Sequence, residues 1–395
     1  MHTPLDWKSP QVQLAIQEAQ ETLQVRARDS RLVRAAFLYS SWKKKIRQEM
    51  AQQVRRFTQK QASTNSLRVF FWLPGGMGDA LCARRMITAY RELLPQALFE
   101  IYCPLAGVAE LICQGDPFST PARSEKIYYP NYDLVVQACL AAKFLFANEL
   151  RLKQQAPDFW PVYNQARQAQ QTLGILLEDM FLTEPVLGRL AYRLEANRFD
   201  LLCYTAGTHV APPNLPVMPG DHFGLKDKKY ITFHDGTSTA QTHHPSPTRA
   251  WPGEKWQQFI TAFKQEHPDI LVVQLGAKNS PVYAQADICL VNKTSVSDLP
   301  GLLSQALAHV DTESGLVHMA SGLPVRSVVL YGPTDKAFYA YEKNKNLSAG
   351  TCHSCMWLKS DWMFRCPLNR PAAEQCMAQI SVEQVLEAVN SLLHS

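Results

Sequence analysis

The sequence predicts an α/β protein with two successive doubly wound domains facing a cleft, a helical N-terminal extension and a C-terminal cysteine lobe. Three observations carry this. From Leu67 an apolar run, a glycine-rich turn, an amphipathic helix and a second apolar run follow one another, the pattern of a βαβ unit. A similar series restarts near Tyr230. Between residues 352 and 376 four cysteines stand as Cys-x2-Cys-x10-Cys-x9-Cys.

At 395 residues the chain exceeds what one core usually supports, which predicts two domains and an appendage. Hydrophobic, charged and aromatic contents of 46%, 19% and 10% are those of a globular protein and exclude a disordered or fibrous chain. The expected segments are a basic helical extension at 1–66, a first domain at 67–225 and a second at 226–395, with the cysteine lobe at 352–376 inside it. Without an apolar run of membrane-spanning length, and with no signal-like core in Met1–Pro10, a soluble cytoplasmic location is expected. The net charge of +5 is modest and by itself suggests little, and no nucleic-acid partner is expected. It is unevenly spread, however. Residues 31–61 hold nine Lys or Arg against one acid, +8, so the rest sums to −3.

Within the extension, Leu38, Trp42, Ile46, Met50, Val54 and Phe57 recur at helical spacing. The opposite face carries Lys43, Lys44, Lys45, Arg47, Arg55 and Arg56. Such a helix either packs on its own domain or a second copy of the chain, or meets an acidic partner or an anionic membrane surface through 31–61.

In the first domain, Leu67–Leu73 reads as a buried strand, and Ala80, Ala83, Ile87, Tyr90 and Leu94 mark the helix face after it. Leu98–Cys103, Leu134–Val136 and Leu201–Tyr204 read as further strands, with a largely helical stretch between the last two. The Pro- and Gly-containing segment 211–224 is the expected interdomain connection. In the second domain, strands are expected at Tyr230–Phe233, Ile270–Leu275 and Val325–Leu330. Helices are expected around Trp256–Phe263, with Pro252 near the start, and around Leu299–Leu307. The last helix should begin at Ser381, with Gln384 completing a capping box and Ile380 and Val385 a hydrophobic staple.

Three constellations carry chemistry. In Pro74-Gly75-Gly76-Met77-Gly78-Asp79 the glycines Gly75, Gly76 and Gly78 let the chain turn at the carboxyl end of a strand, where ligands of open α/β sheets bind. Asp79 then lands in the first turn of the helix, as a cap or as a general base. This turn matches neither the dinucleotide fingerprint nor a P-loop. In Asp311-Thr312-Glu313-Ser314-Gly315-Leu316-Val317-His318, the helix start at Ser314 and Gly315 suits a diphosphate, and Glu313 suits ribose hydroxyls. His318 is either a site residue or a core histidine. Cys352, Cys355, Cys366 and Cys376 can complete a tetrahedral metal shell, and four protein ligands leave no open position, so the ion would be structural and not catalytic. Thiolate chemistry alone favours zinc. The six other cysteines are scattered singly through apolar segments, as small core residues are in reducing compartments.

Thr237-Ser238, Arg249-x-Trp251-Pro252, Ser314-Gly315-x-x-His318 and Tyr331-Gly332-Pro333-Thr334 occur in an order that resembles glycosyltransferase family 9, the ADP-heptose transferases. The resemblance runs from about Leu67 to the C-terminus. It implies two Rossmann-like domains in the GT-B arrangement and inverting transfer of heptose from ADP-heptose. It also implies catalysis by Asp79 and donor binding by Thr237, Ser238, Arg249, Glu313, Ser314, Gly315 and His318. Glu313 departs from the aspartate usual in the family, and Arg249 stands in for a lysine. The cysteine segment looks like the metal finger of the autotransporter heptosyltransferases, which modify adhesin serines, and on that likeness the ion is iron. The acceptor is therefore a protein serine or, if 31–61 meets the membrane, a lipid-linked sugar of the lipopolysaccharide core. A non-enzymatic assembly subunit is the reading from another class, and a homo-oligomer is compatible with each.

Overall fold

The structure of the protein, a computed structural model, describes residues 5–29, 66–217, 223–236, 248–359, 361–372 and 375–394. The helix expected over Leu38–Phe57, its basic segment, and Thr237 and Ser238 lie outside these residues. The chain divides into two compact units, Met1–Pro212 and Pro213–Ser395. Leu215 N donates to Gly322 O within the second unit.

The first unit begins with α1 (Pro10–Asp29). It continues through β1 (Arg68–Trp72), α2 (Met77–Leu93), β2 (Leu98–Tyr102), α3 (Val108–Cys113), β3 (Ser119–Pro121), β4 (Leu134–Ala138) and β5 (Ala142–Ala147). Four helices follow: α4 (Glu149–Gln155), α5 (Trp160–Leu173), α6 (Met180–Arg193) and α7 (Arg198–Thr205). The sheet order is β3-β2-β1-β4-β5, parallel except for β5, which runs antiparallel to β4. Val69 and Phe71 of β1 are fully buried, as expected of a central strand covered on both faces. The order reverses at β1, so the crevice beyond the carboxyl ends of β1 and β4 is where such a sheet places ligands. Helix α1 lies on α6, burying Ile16 and Leu23.

One expected strand is a helix. Leu201–Tyr204 lies within α7, because Asn197 caps Phe199 N and Asp200 N while the Asp200 side chain accepts from Asn197 N. That capping box starts a helix which four apolar residues alone do not distinguish from a strand.

The second unit contains β6 (Tyr230–His234), α8 (Gly253–Glu266), β7 (Leu271–Gln274), β8 (Ile288–Cys289), α9 (Leu299–Gln305) and β9 (His309–Thr312). Then come α10 (Gly315–Ser321), β10 (Ser327–Tyr331), α11 (Lys336–Tyr339), β11 (Lys345–Ser348), α12 (Cys376–Gln379) and α13 (Val382–Leu393). Its sheet is parallel throughout, in the order β11-β10-β9-β6-β7-β8, and reverses between β6 and β9. The aromatic face of α8 explains its docking. Trp256, Phe259 and Phe263 are fully buried with Phe233 of β6, and Trp251 donates from Nε1 to Ile380 O at 3.1 Å. Helix α13 starts at Ser381 with the expected capping box, and Ile380 and Val385 share its core. Among the described residues no helix is long and apolar enough to cross a membrane.

Candidate functional site

In the first unit the glycine turn joins β1 to α2, and Asp79 is the third residue of that helix. Its Oδ2 accepts from Gly76 N at 3.0 Å, so the carboxylate caps the helix from within. Of the three glycines, Gly75 is required sterically. A Cβ there would fall 2.5 Å from the Asp79 Cβ and Oδ2, whereas one at Gly76 would meet Oδ2 at 3.8 Å. Gly75→Ala should therefore displace the carboxylate, lowering turnover about 10²-fold if Asp79 is catalytic. Circular dichroism melting alongside the rate would separate displacement from unfolding.

The second oxygen of Asp79 has a partner that no local pattern announces. Arg198, the first residue of α7, donates from Nη2 to Asp79 Oδ1 at 2.8 Å and to Cys139 O at 2.8 Å. The Arg198 side chain is 2% exposed and that of Asp79 38%, so the ion pair has an inner and an outer end. Cys139 is no rival nucleophile. Burial, and then the Asp79 charge, push its thiol well up from its ordinary value.

In the second unit, the carboxyl ends of β6, β9 and β10 gather the other expected residues that are described. Ser314 caps α10, accepting from Leu316 N at 3.1 Å, while its hydroxyl donates to Asp311. Glu313 is buried at the centre. Its Oε2 lies 3.0 Å from Arg249 Nη1 and its Oε1 3.3 Å from His318 Nε2. His318 Nδ1 is 2.8 Å from the Tyr341 hydroxyl, which fixes the ring from its other side. Arg249 Nε, Thr312 Oγ1 and Tyr331 OH are buried and without a partner among the described residues. Burial first, then the charges of Glu313, Tyr341 and Asp311, push the Tyr331 phenol well up. Unmet polar atoms around a cation and a carboxylate are what a polar ligand would satisfy.

Behind this cluster is a buried network that the sequence reading missed. Asp311, fully buried, accepts from His234 Nδ1 at 3.0 Å and His309 Nε2 at 3.2 Å, and His309 Nδ1 meets Thr232 Oγ1 at 2.9 Å. Burial alone would raise the Asp311 pKa, but the charges and hydrogen bonds of His234 and His309 outweigh it and hold it below the usual carboxylate range. The network binds β6 to β9 and so fixes the main chain at the end of β6. Gly236 follows at φ +82°, and a Cβ there would lie 1.9 Å from Thr312 Oγ1.

The four lobe cysteines line one cavity of about 190 Å³, together with His353 and Thr248. All four are free thiols. Burial, and then the neighbouring lobe thiols, push Cys355 up to about 11 and Cys376 up to about 12. The donor set suits a thiophilic ion in residue type. Their side chains are not drawn into a closed shell: among the described residues no three His, Cys, Asp or Glu are grouped to hold a metal. The lobe is anchored beside the Glu313 cluster. Thr248, next to Arg249, donates from N to Met363 O and from Oγ1 to Trp362 O, and Ser354 N and Met356 N donate to Gly332 O and Pro333 O.

The sequence profile of glycosyltransferase family 9 (heptosyltransferase) matches residues 151–357, more than half of the chain. The chain belongs to this family. It is a glycosyltransferase, and the matched span takes in Arg198, Arg249 and the Glu313–His318 motif. Among solved structures, the iron-containing dodecameric glycosyltransferase TibC from enterotoxigenic E. coli H10407 is 15% identical, with a TM-score of 0.56 over 84% of this chain and 80% of that one. The dodecameric iron-containing heptosyltransferase TibC in complex with ADP-D-β-D-heptose gives 0.55 at 15% identity, over 83% and 77%. The E. coli ADP-heptose lipopolysaccharide heptosyltransferase II gives 0.48 at 16%, over 83% and 99%. At such identities the TibC likeness speaks for the shared fold, the mixed α/β architecture of two largely parallel sheets. No curated protein matched the chain in a sequence search.

Proposed function

We propose that this glycosyltransferase moves a heptose from ADP-heptose to an acceptor hydroxyl with inversion, the acceptor being a serine of an autotransporter adhesin. The observation that carries the donor reading is the buried Arg249–Glu313–His318 cluster, with unmet polar atoms beside it at the carboxyl ends of β6, β9 and β10. In this reading Asp79 takes the proton of the acceptor hydroxyl as its oxygen forms a bond to the anomeric carbon. The bond from that carbon to the β-phosphate oxygen breaks, and ADP leaves with the electron pair. Arg249 has N–H groups beyond those on Glu313 and meets the diphosphate charge, joined by Thr237, Ser238 and the main chain at Ser314 and Gly315. Glu313 and His318 position ribose and sugar.

The protein acceptor rests on the cysteine lobe. TibC is described as iron-containing, and Cys352, Cys355, Cys366 and Cys376 line one cavity here. In the proposal they hold one structural ion, iron or zinc, which would stiffen the lobe against Thr248 and Gly332. TibC is also described as dodecameric, and self-association of this chain belongs to the same reading. The charge of 31–61 favours a second acceptor, a lipid-linked sugar, which removal of that segment would selectively disable.

Calorimetric titration tests the donor. ADP-heptose should bind, ADP should bind more weakly, and UDP and GDP should give no heat above dilution. Equal binding of all three nucleotides, or of none, would remove ADP-heptose as the donor.

A further inference from the structure

Arg198 sits where helix electrostatics disfavour it. The first turn of α7 presents the positive end of the helix, already served by the Asn197 side chain and by Asp200, and a cation there gains nothing from the dipole. Its guanidinium is nevertheless almost fully buried, and it reaches α2 and the turn between β4 and β5. Docking of α7 on α2 does not explain the arrangement, because other contacts secure it. Arg85 of α2 lies 4.6 Å over the Phe199 ring and donates to Ala211 O, and Tyr90 OH donates to Ala206 O at 2.7 Å.

The arrangement does explain the aim of Asp79. Nη1 of Arg198 meets Leu140 O at 3.3 Å, and Nη2 is shared by Cys139 O and Asp79 Oδ1, so two carbonyls fix the guanidinium plane before it touches the carboxylate. A planar fork can do this and an ammonium can do it only in part. Gly76 N takes the other oxygen. A carboxylate offers about four lone-pair positions, so the lone pairs on its exposed side stay available to a hydroxyl proton.

We infer that Arg198 is a positioning residue for the transfer reaction: it holds Asp79 Oδ1 from the buried side and so fixes the direction in which the carboxylate faces the acceptor. The inference rests on Asp79 being the base. Arg198→Met should lower kcat about 10²-fold, the cost of a misaimed base, and leave KM for ADP-heptose and ADP affinity within about twofold. Arg198→Lys should recover about tenfold of that loss, because the charge and one bond to Oδ1 remain. A double-mutant cycle separates aim from architecture. In an Asp79→Asn background, Arg198→Met should add no further loss, since the residue acts through the carboxylate. If Arg198→Met does not fold, Arg198→Gln and Arg198→Lys take its place in the same cycle.

Full kcat in the Met or Gln variant, or an equal additional loss in the Asn background, overturns the inference. So does a fall in kcat, ADP affinity and Tm together that lysine fails to relieve. If Asp79→Asn alone turns over normally, it is the base assignment that fails, a result distinct from an inactive Asn variant beside an unaffected Arg198 variant.

Discussion

Asp79→Asn should lower transfer by about 10²–10⁴-fold, the usual worth of a general base, with ADP-heptose affinity unchanged. The choice of asparagine follows from the structure. Alanine would also leave the Arg198 guanidinium buried without the carboxylate it meets at 2.8 Å, and Gly76 N without its acceptor. Breaking a buried pair costs about 3–5 kcal/mol, an upper bound here because the outer side of Asp79 faces water. Loss of the cap adds about 0.5–2 kcal/mol. A dead alanine variant would therefore mix lost chemistry with a loosened first turn of α2. Asparagine keeps an oxygen for one of these donors and the shape of the side chain, while its basicity is gone. Transfer from radiolabelled donor, read beside calorimetry and melting, gives the split. Undiminished transfer by the asparagine variant would take Asp79 out of the mechanism.

What the sequence made legible was what local chemistry writes locally. Apolar runs at β1, β2, β6, β7 and β10, the aromatic face of α8 and the Ser381 capping box each reappear where the residues placed them. Strand β9 was overlooked for a physical reason. Its four residues include His309 and Asp311, polar side chains that look like loop and are fully buried because they satisfy one another. Residues 201–204 misled in the opposite sense, their apolar run hiding the helix that Asn197 and Asp200 begin. Arg198 could not be found by any window, since it lies 119 residues from the carboxylate it grips. Glu313 was singled out for ribose, but its two links to Arg249 and His318 are a tertiary fact. Arg249 is brought there by the segment after Thr248, which is itself pinned to the cysteine lobe.

That pinning shapes what should follow from Cys352→Ser. The purified protein is expected to contain about one equivalent of iron or zinc, and the variant to lose it, because a serine hydroxyl does not replace a thiolate towards a thiophilic ion. Structural four-thiolate sites contribute about 10–16 kcal/mol of apparent binding energy to folding, so the loss should appear as a clearly lower Tm and as early melting of the lobe. The effect should also reach the donor. Cys376 is buried in the core that holds Trp251 and Val385, and Thr248 bonds to the main chain of Trp362 and Met363 inside the lobe, one residue before Arg249. A loosened lobe thus frees Arg249 from one end, and ADP affinity should fall while the first unit is untouched. Cys289→Ser is the control, since that half-exposed thiol in β8 lies apart from the cavity and should leave metal content unchanged. Elemental analysis decides between a finger and four neighbouring thiols: metal retained by Cys352→Ser, or absent from the parent protein purified without chelator, would mean that packing alone holds the lobe, and the likeness to iron-containing TibC would end at the fold.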